Sequence, residues 1–296
     1  MANNSLNDSF CLPQCVELSS LVVLASQESA KSHHSAIQLM EPLSDFFVVS
    51  SVFMASIGLT LLARNCLRSQ ISCISTSKHA EGPIKLPNKG SVSISLCISG
   101  CPFLFSCLHL VHGESPAVLT QRCSSFFNCL SAPSSKSCPL HPGERTVVAA
   151  GDLNFRIHGL CRSLANKVIS KDEIQVLLEN DQLNRIMNNN LLLNCLKGKI
   201  FLNFINTFNE AAINFAPTYK YNFLGNEFDT SKKQRCPAFT DRILYKGCNS
   251  FIQCQDYGSL HFVNCSDHKP VYAVFEVKLV MGCEVQLPEP KKCCIL

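Results

Sequence analysis

The stretch Gly151-Asp152-Leu153-Asn154-Phe155-Arg156 decides how this chain is interpreted. It follows an apolar run, residues 147–150, that predicts a short strand leading into it. Side chains at positions i and i+2 of a strand point the same way, so Asp152 and Asn154 can face one reacting group. A second stretch, Ser266-Asp267-His268-Lys269-Pro270-Val271, puts a carboxylate beside an imidazole, an ordinary arrangement for a general acid or base. Together the two stretches indicate metal-assisted hydrolysis of a phosphate ester.

The composition is that of a folded chain. Of its 296 residues, 46% are hydrophobic and 16% are charged, which provides for a sizeable core and excludes global disorder. This length suits one large domain or two small ones. The net charge of +4 tolerates an anionic substrate or surface but is far below that of a dedicated nucleic-acid-binding protein, so we expect no nucleic-acid partner.

The chain contains 19 cysteines. Their number is odd, no two are spaced C-x-x-C, and no secretory signal opens the sequence, so a zinc site and a disulfide framework are both disfavoured. We therefore expect reduced, mostly buried thiols in a cytosolic protein.

Residues 46–63 form an uncharged stretch that could cross a membrane. At 18 residues they are at the lower edge of the length that a transmembrane helix needs. The stretch also holds several serines and is rich in Val, Ile and Phe, which suits two consecutive buried strands joined near Ser56-Ile57-Gly58. We favour the two strands and keep the membrane span as the alternative.

Short apolar runs separated by polar turns predict a large sheet system rather than a helix bundle. Besides residues 147–150, the predicted strands are residues 21–25, 46–52, 57–62, 92–98, 103–108, 242–244 and 271–277. Apolar residues at helical spacing predict one clear helix over residues 171–187. Residues 114–145, rich in Ser, Cys and Pro, are predicted to be a loop-rich connection, and residues 216–221 an extended segment.

The sequence ends with Cys293-Cys294-Ile295-Leu296, which matches a C-a-a-X box. A terminal leucine favours geranylgeranyl attachment to Cys293. One lipid chain binds a membrane only marginally, so a second signal is expected, and Lys291 and Lys292 just upstream form a thin basic patch. A chance tail is the alternative, because the pattern is short.

These motifs resemble the inositol polyphosphate 5-phosphatases. Residues 151–156 are similar to that family's G-D-(L/F)-N-(F/Y)-R segment, residues 235–244 to its R-x-P-(A/S)-(W/Y)-(C/T)-D-R-(I/V)-L segment, and residues 266–271 to its S-D-H-(K/R)-P-V segment. Residues 181–183 and 217–221 fall between them in the family's order. The subgroup that the chain resembles most is the type IV, C-terminally prenylated phosphoinositide 5-phosphatase.

Fainter matches lie in the first third of the chain. Gln27-Glu28 resembles the family's Q-E metal-binding element, residues 88–92 resemble a K-G-(A/G)-(V/L) stretch, and residues 108–110 occupy the place of an S-H-(F/L) element. The resemblance implies an α/β, DNase I-like fold, with two packed mixed sheets flanked by helices and the site at one end of the sandwich. It implies a catalytic domain at residues 1–280 and a tail with the C-a-a-X box at residues 281–296.

The family's catalytic domain begins with a strand carrying a T-W-N segment, whose Asn helps to hold the metal and phosphate site. Nothing in this sequence matches that segment, and Asn3 and Asn4 are poor substitutes because no predicted strand precedes them. We therefore expect the fold to lack its first strand, which would leave a sheet edge or a gap in the core.

The resemblance implies hydrolysis of the 5-phosphate of an inositol ring, assisted by one Mg²⁺. Glu28 is then the metal ligand, because hard cations prefer carboxylate oxygens. Asp152 orients or deprotonates the attacking water, and Asn154 holds the phosphate or that water.

Two imidazoles are implied to face the phosphate. His268 donates to the scissile phosphate, with Asp241 as its orienting partner and Asp267 supporting the site. His109 is the second imidazole, although Leu108 replaces the serine that usually precedes it.

Cations and a tyrosine are implied to recognise the substrate. Tyr219, Lys220 and Lys233 lie where the family grips the 4-phosphate. Lys269 and Arg242 add to the phosphate field, or Arg242 is a structural ion pair with a nearby acid.

The expected protein is a monomeric phosphatase that acts on phosphoinositide lipids at the cytoplasmic side of a membrane, by resemblance that of the Golgi or the primary cilium. The first alternative is a truncated, catalytically impaired relative that binds phosphoinositides or proteins without turnover. The second is a nuclease of the same superfold, against which residues 219–220 and the C-a-a-X box argue.

Overall fold

The apolar runs of the sequence form the strands of two sheets in the computed structural model, which describes residues 19–28, 44–131, 145–188, 196–247, 250–279 and 291–295. In chain order the strands are β1 (Leu21–Ser26), β2 (Phe46–Met54), β3 (Ile57–Arg64), β4 (Ile71–Ala80), β5 (Gly90–Ile98), β6 (Cys101–His109), β7 (Thr146–Asp152), β8 (Asp241–Lys246), β9 (Ser250–Ser259), β10 (Val271–Leu279) and β11 (Lys291–Ile295). The α-helices are α1 (Pro116–Ser131), α2 (Arg162–Ser170), α3 (Ile174–Asn180), α4 (Gln182–Met187) and α5 (Leu196–Ile205). Two short 3-10 segments, Asn65–Gln70 and Pro83–Lys85, flank β4.

Sheet A has the strand order β2-β3-β1-β11-β10-β9, and sheet B has the order β4-β5-β6-β7-β8. Both sheets are mixed, because β1 is parallel to β11 and β6 is parallel to β7 while the other neighbours are antiparallel. This is the two-sheet architecture that the sequence predicts.

Strand β6 explains how sheet B lies between two apolar layers. Its alternate residues Phe103 and Phe105 belong to the core that sheet B shares with sheet A. The intervening residues Leu104 and Leu108 belong to a second apolar cluster with α1 and α5. Side chains alternate between the two faces of a strand, so a run that is apolar at every position is buried on both sides.

Helix α1 corrects the prediction of a loop-rich connection over residues 114–145. Its Ser, Cys, Thr and Asn residues are weak helix formers, so the sequence carried little helical signal. Packing supplies the stability instead: the Phe126 ring lies edge-on to the rings of Phe201 and Phe208, with centroids 6.0 and 5.7 Å away.

The helix predicted over residues 171–187 is broken in two at Asp181. This residue is extended (φ −69°, ψ 130°), and its carboxylate accepts a hydrogen bond from the Asn184 backbone N–H, which caps α4. Asp favours such caps over helix interiors because its short side chain bonds to nearby backbone. The break is therefore determined by the sequence, at Asp181.

The uncharged stretch 46–63 forms the hairpin of β2 and β3, which pair from Phe46↔Arg64 to Met54↔Ile57. The prediction of two strands joined near Ser56-Ile57-Gly58 is confirmed. Among the described residues, no helix has the length and apolar character needed to span a membrane.

Strand β11 corrects the view of residues 281–296 as a tail outside the catalytic domain. Residues 291–295 pair with β1 on one side and with β10 on the other, so they lie inside sheet A. No gap separates β1 from β10 in sheet A, because β11 pairs with both of them through its backbone. Asn3 and Asn4 lie outside the described residues.

Candidate active site

Polar side chains gather where neighbouring strands of the two sheets end. In sheet B, His109 ends β6, Asp152 ends β7 and Asp241 begins β8; the register pairs His109 with Asp152 and Asp152 with Asp241. In sheet A, Glu28 follows the end of β1, and His268 precedes the start of β10. These five side chains therefore meet at one end of the sandwich.

Gly151 lets β6 and β7 approach closely enough for this arrangement. Its φ is +137°, and a Cβ atom there would lie 2.1 Å from the Leu108 carbonyl oxygen. Only glycine adopts such a conformation at this separation without strain. The glycine of the Gly-Asp motif thus brings Asp152 beside His109, with Asp152 Oδ2 3.3 Å from His109 Nε2.

Asp152 is a buried carboxylate held by its neighbours. It accepts hydrogen bonds from the Asn154 backbone N–H at 2.9 Å and from Asn154 Nδ2 at 2.8 Å. Burial raises the pKa of Asp152, but the hydrogen bond from His109 and the charges of His268 and Lys89 outweigh it and leave the pKa below its usual value. Asp152 is therefore ionised at neutral pH and can accept a proton.

Asn154 has a positioning role in this arrangement. Its Nδ2 also donates to the Leu110 carbonyl oxygen at 3.0 Å, and its Oδ1 accepts a hydrogen bond from Arg156 Nη2. With these partners and 2% exposure, the Asn154 side chain orients Asp152, whereas the sequence analysis assigned it to the phosphate or the attacking water.

His268 is oriented by a buried acid, as the sequence predicts. Its Nδ1 lies 2.9 Å from Asp241 Oδ2, which also accepts hydrogen bonds from Thr218 Oγ1 at 2.6 Å and Thr240 Oγ1 at 2.9 Å. Burial lowers the pKa of His268, but the charge and hydrogen bond of Asp241 more than offset it and raise the pKa to about 9. A cationic imidazole therefore faces the site through Nε2 at neutral pH.

Glu28, His109 and Lys89 form the other wall of the site. The Glu28 carboxylate lies 3.6 Å from His109 Nε2, and Lys89 Nζ is in close contact with the same nitrogen. Burial lowers the pKa of Lys89, while the charges of Asp152 and Glu28 act to raise it. The Glu28 and Asp152 carboxylates therefore lie on either side of His109, 3.6 and 3.3 Å from its Nε2.

The donor chemistry of this wall fits a hard divalent cation. Mg²⁺ takes oxygen ligands and is commonly bound through one or two carboxylates with water completing its shell. Glu28 provides one such carboxylate. Within the described ranges there is no cluster of three or more His, Cys, Asp or Glu side chains that could hold a metal by themselves.

These groups enclose a polar cavity of about 180 Å³. Seven of the residues singled out in the sequence line it: Glu28, His109, Asp152, Asn154, Tyr219, Asp267 and His268. The sequence analysis assigned no role to six further lining residues: Lys89, His112, Gly113, Glu114, Arg156 and Arg235. Lys89, Arg156 and Arg235 lie within the quoted motifs, so their positions could have been proposed from those motifs. They give the cavity a cationic rim that suits a phosphorylated ligand.

Of the three residues expected to bind a second phosphate, only Tyr219 lines the cavity, whereas Lys220 and Lys233 do not. The Tyr219 ring lies 4.7 Å from the His268 ring, centroid to centroid, and 4.6 Å from the Arg156 guanidinium. Lys220 Nζ donates to Asp267 Oδ2 at 2.5 Å, and this hydrogen bond raises the pKa of Lys220. Lys233 is exposed and does not line the cavity.

Lys269 and Arg242 do not contribute to the phosphate field of this cavity. Lys269 Nζ is turned inward, donating to Asn226 Oδ1 at 2.6 Å and the Val263 carbonyl at 2.9 Å, because adjacent residues of an extended chain face opposite ways. Arg242 forms buried ion pairs with Asp181 at 2.8 Å and Glu210 at 2.5 Å. Its alternative assignment as a structural ion pair is therefore the correct one.

Comparisons with known proteins show the family of this chain. A family model described as endonuclease/exonuclease/phosphatase family 2 matches residues 9–274, and the chain belongs to that family. A mouse phosphatidylinositol polyphosphate 5-phosphatase type IV is 29% identical over 298 residues, covering 93% of this chain and 43% of that protein. An Arabidopsis type IV inositol polyphosphate 5-phosphatase 7 is 32% identical, covering 80% and 40%. The resemblance to the inositol polyphosphate 5-phosphatases is thus confirmed, and the chain spans less than half the length of these relatives.

Solved structures confirm the DNase I-like fold. The inositol polyphosphate 5-phosphatase domain of SPsynaptojanin, in complex with inositol (1,4)-bisphosphate and calcium ion, superposes with a TM-score of 0.71 at 23% identity, covering 93% of this chain and 75% of that one. A Cimex nitrophorin ferrous NO complex superposes with a TM-score of 0.66 at 19% identity, covering 88% of each chain. A ferrous NO complex on the same fold means that function must be argued from the site.

Proposed function

We propose that this chain hydrolyses the 5-phosphate of phosphoinositides at a membrane, with Mg²⁺ as its cofactor. The proposal rests on one juxtaposition: the ionised Asp152 and the cationic His268 face each other across a polar cavity of about 180 Å³ that Glu28 also lines. The curated relatives, which are inositol polyphosphate 5-phosphatases, support the same class of substrate.

The two central side chains divide the chemistry. Asp152 accepts a proton from water, whose oxygen forms the new bond to phosphorus. The bond between phosphorus and the inositol 5-oxygen breaks, and that oxygen leaves as an alcohol after taking a proton from solvent. His268 donates a charge-assisted hydrogen bond to the phosphoryl oxygens, where negative charge accumulates.

Glu28 would hold the magnesium ion, and Asp152 keeps its role as the proton acceptor. When bound, the ion neutralises charge on the phosphoryl group. Asn154 keeps Asp152 in place, and the cationic rim of Lys89, Arg156 and Arg235 draws the anionic headgroup into the cavity. Tyr219 and Lys220 are proposed to contact the phosphate at position 4.

The test is phosphate release from vesicles that contain a 4,5-bisphosphorylated phosphoinositide. We expect release with Mg²⁺, its loss with a chelator and its recovery when Mg²⁺ is added back. The negative control is phosphate release by the double variant Asp152→Ala/His268→Ala, measured under the same conditions. Wild-type release no greater than this control would contradict the enzyme proposal, and vesicle binding without release would instead support the impaired relative.

Asp241→Asn is expected to shift the upper limb of the pH–activity profile to lower pH. With a pKa of about 9, His268 is cationic at neutral pH and loses its proton as the pH rises through that value. Asp241 is the largest of the influences that raise this pKa, so removing its charge should lower the pKa of His268 by about 1 to 3, the usual effect of losing an opposite charge at this distance. Measuring kcat/KM against pH checks this, with exposed Asp256→Asn as the control, and an unmoved limb would contradict it.

The membrane part of the proposal rests on the C-a-a-X box. We propose geranylgeranyl attachment to Cys293, on the cytoplasmic side of a Golgi or ciliary membrane. Mass spectrometry of the protein expressed in animal cells would detect the modification, and Cys293→Ser should release a fluorescent fusion from membranes. A fusion that stays on the same membrane after Cys293→Ser would contradict this route of attachment.

A further inference from the structure

Strand β11 occupies the middle of sheet A. It runs parallel to β1, with Leu21 opposite Cys293 and Val23 opposite Ile295. It runs antiparallel to β10, with Val277 opposite Lys291 and Ala273 opposite Ile295. Since β1 and β10 are joined through β11 in the strand order, its departure would expose two rows of unpaired backbone groups that face each other.

The same five residues contain most of the proposed lipidation motif. Cys293 is the central residue of β11, opposite Leu21 of β1 and Phe275 of β10. Both of these partners are buried, with 5% and 1% exposure, so the Cys293 backbone is paired between two core residues. A segment hydrogen-bonded on both sides cannot lie in the active site of a modifying enzyme at the same time.

We infer that the space between β1 and β10 is a strand-binding groove whose occupant is the chain's own tail, Lys291–Ile295. The groove and a prenyltransferase then compete for one segment, so that closure of sheet A and lipidation of Cys293 exclude each other. This inference rests on the lipidation proposed above. In the lipidation step the Cys293 sulfur bonds to C1 of an isoprenoid diphosphate, the C1–O bond breaks, diphosphate leaves, and the thiol proton goes to solvent.

The groove also leads to the catalytic end of the sandwich. Among the described residues, the last partners of β11 are Val23 of β1 and Ala273 of β10, both opposite Ile295. Just beyond, Ala25 and Val271 line a cavity of about 180 Å³ that reaches His268. The occupant of the groove therefore holds β1 and β10 together. Glu28 follows β1 and His268 precedes β10, so both site residues depend on these two strands.

A disulfide trap tests whether the tail occupies the groove. Glu276 and Lys292 are directly opposite each other, and opposite residues of antiparallel strands have Cα atoms about 4.5–5.5 Å apart, within the range of a disulfide. In a Cys293→Ser/Cys294→Ser background, mild oxidation of Glu276→Cys/Lys292→Cys should form the cross-link, mapped by mass spectrometry. The matched control, Lys278→Cys/Lys292→Cys, is two residues out of register and should remain mostly reduced. Equal yields from the two pairs would overturn the docked arrangement.

A lipidation assay tests the competition. Geranylgeranyltransferase and geranylgeranyl diphosphate are added to the full chain and, separately, to a synthetic peptide of residues 284–296. We expect the full chain to react at least about tenfold more slowly than the peptide, which corresponds to a docking free energy of about 1.4 kcal/mol. Lys292→Pro should restore most of the rate, because proline removes an N–H and is not tolerated in a central strand.

Two controls separate the possible results. Lys292→Ala removes the same charge and should react like the wild type, and a peptide carrying Lys292→Pro shows whether proline itself hinders the enzyme. Equal rates for the wild-type chain and the wild-type peptide would overturn the competition. A wild-type peptide that is not modified would instead overturn the proposed lipidation, while the disulfide trap still decides whether the tail docks.

Discussion

His268→Ala is expected to lower kcat for phosphate release by about 10²- to 10³-fold, the range for loss of one positioned hydrogen-bond donor to developing negative charge. The reason is that the variant removes the cationic imidazole of His268. Asp241 orients this imidazole toward the cavity, with its Oδ2 2.9 Å from His268 Nδ1. KM should change much less, because the rim cations that attract the headgroup are untouched. The measurement is steady-state kinetics on vesicles containing a 4,5-bisphosphorylated phosphoinositide.

The control for this loss is His261→Ala, which removes an exposed histidine from the same part of the chain. It should leave kcat within twofold or so of the wild type, since surface substitutions of this kind are nearly neutral. Urea unfolding of both variants separates lost catalysis from lost folding. A His268→Ala variant that keeps its full rate would remove His268 from the mechanism.

Arg242→Met is expected to lower the free energy of unfolding by about 3–5 kcal/mol, the cost of breaking a buried ion pair from one side. The guanidinium is 1% exposed and lies between the Asp181 and Glu210 carboxylates, whose charges raise its pKa well above the usual value despite burial. Without it, two buried carboxylates lose their counter-charge. Urea denaturation followed by circular dichroism measures the difference.

Lys278→Met is the matched control, because Lys278 forms an exposed ion pair with Glu276 at 3.8 Å. Surface pairs of this kind contribute about 0–1 kcal/mol. The two variants could unfold at the same urea concentration, with the same dependence of the unfolding free energy on urea. The buried ion pairs of Arg242 with Asp181 and Glu210 would then stabilise the fold no more than the exposed pair does.

The motifs around Asp152 and His268 could be assigned from sequence because each acts through residues only one or two positions apart. Strand alternation relates Asp152 to Asn154, and the Asp-His pair lies at the start of a predicted strand. Asp241 could be added only through the family resemblance, because its 2.9 Å contact with His268 joins two distant segments.

Side-chain direction was the part that the sequence left open. Lys269 carries the same charge wherever it points, and only the fold turns it toward Asn226 and Val263. Helix α1 was missed for a related reason: its stability comes from rings such as Phe201 and Phe208, far along the chain, and hardly from its own residues. Strand β11 has two lysines among five residues and carried no strand signal at all.

The position of β11 also affects the order in which this molecule folds. Strand β1 is made long before one of its two neighbours, the segment around Cys293, because about 270 residues separate Leu21 from Cys293 along the chain. Contacts between residues so distant in sequence carry a large loop-closure cost and form slowly. During that interval β1 and β10 present open edges, which are the usual starting points of aggregation. The yield of folded protein should therefore depend on residues 291–295, independently of any effect on catalysis.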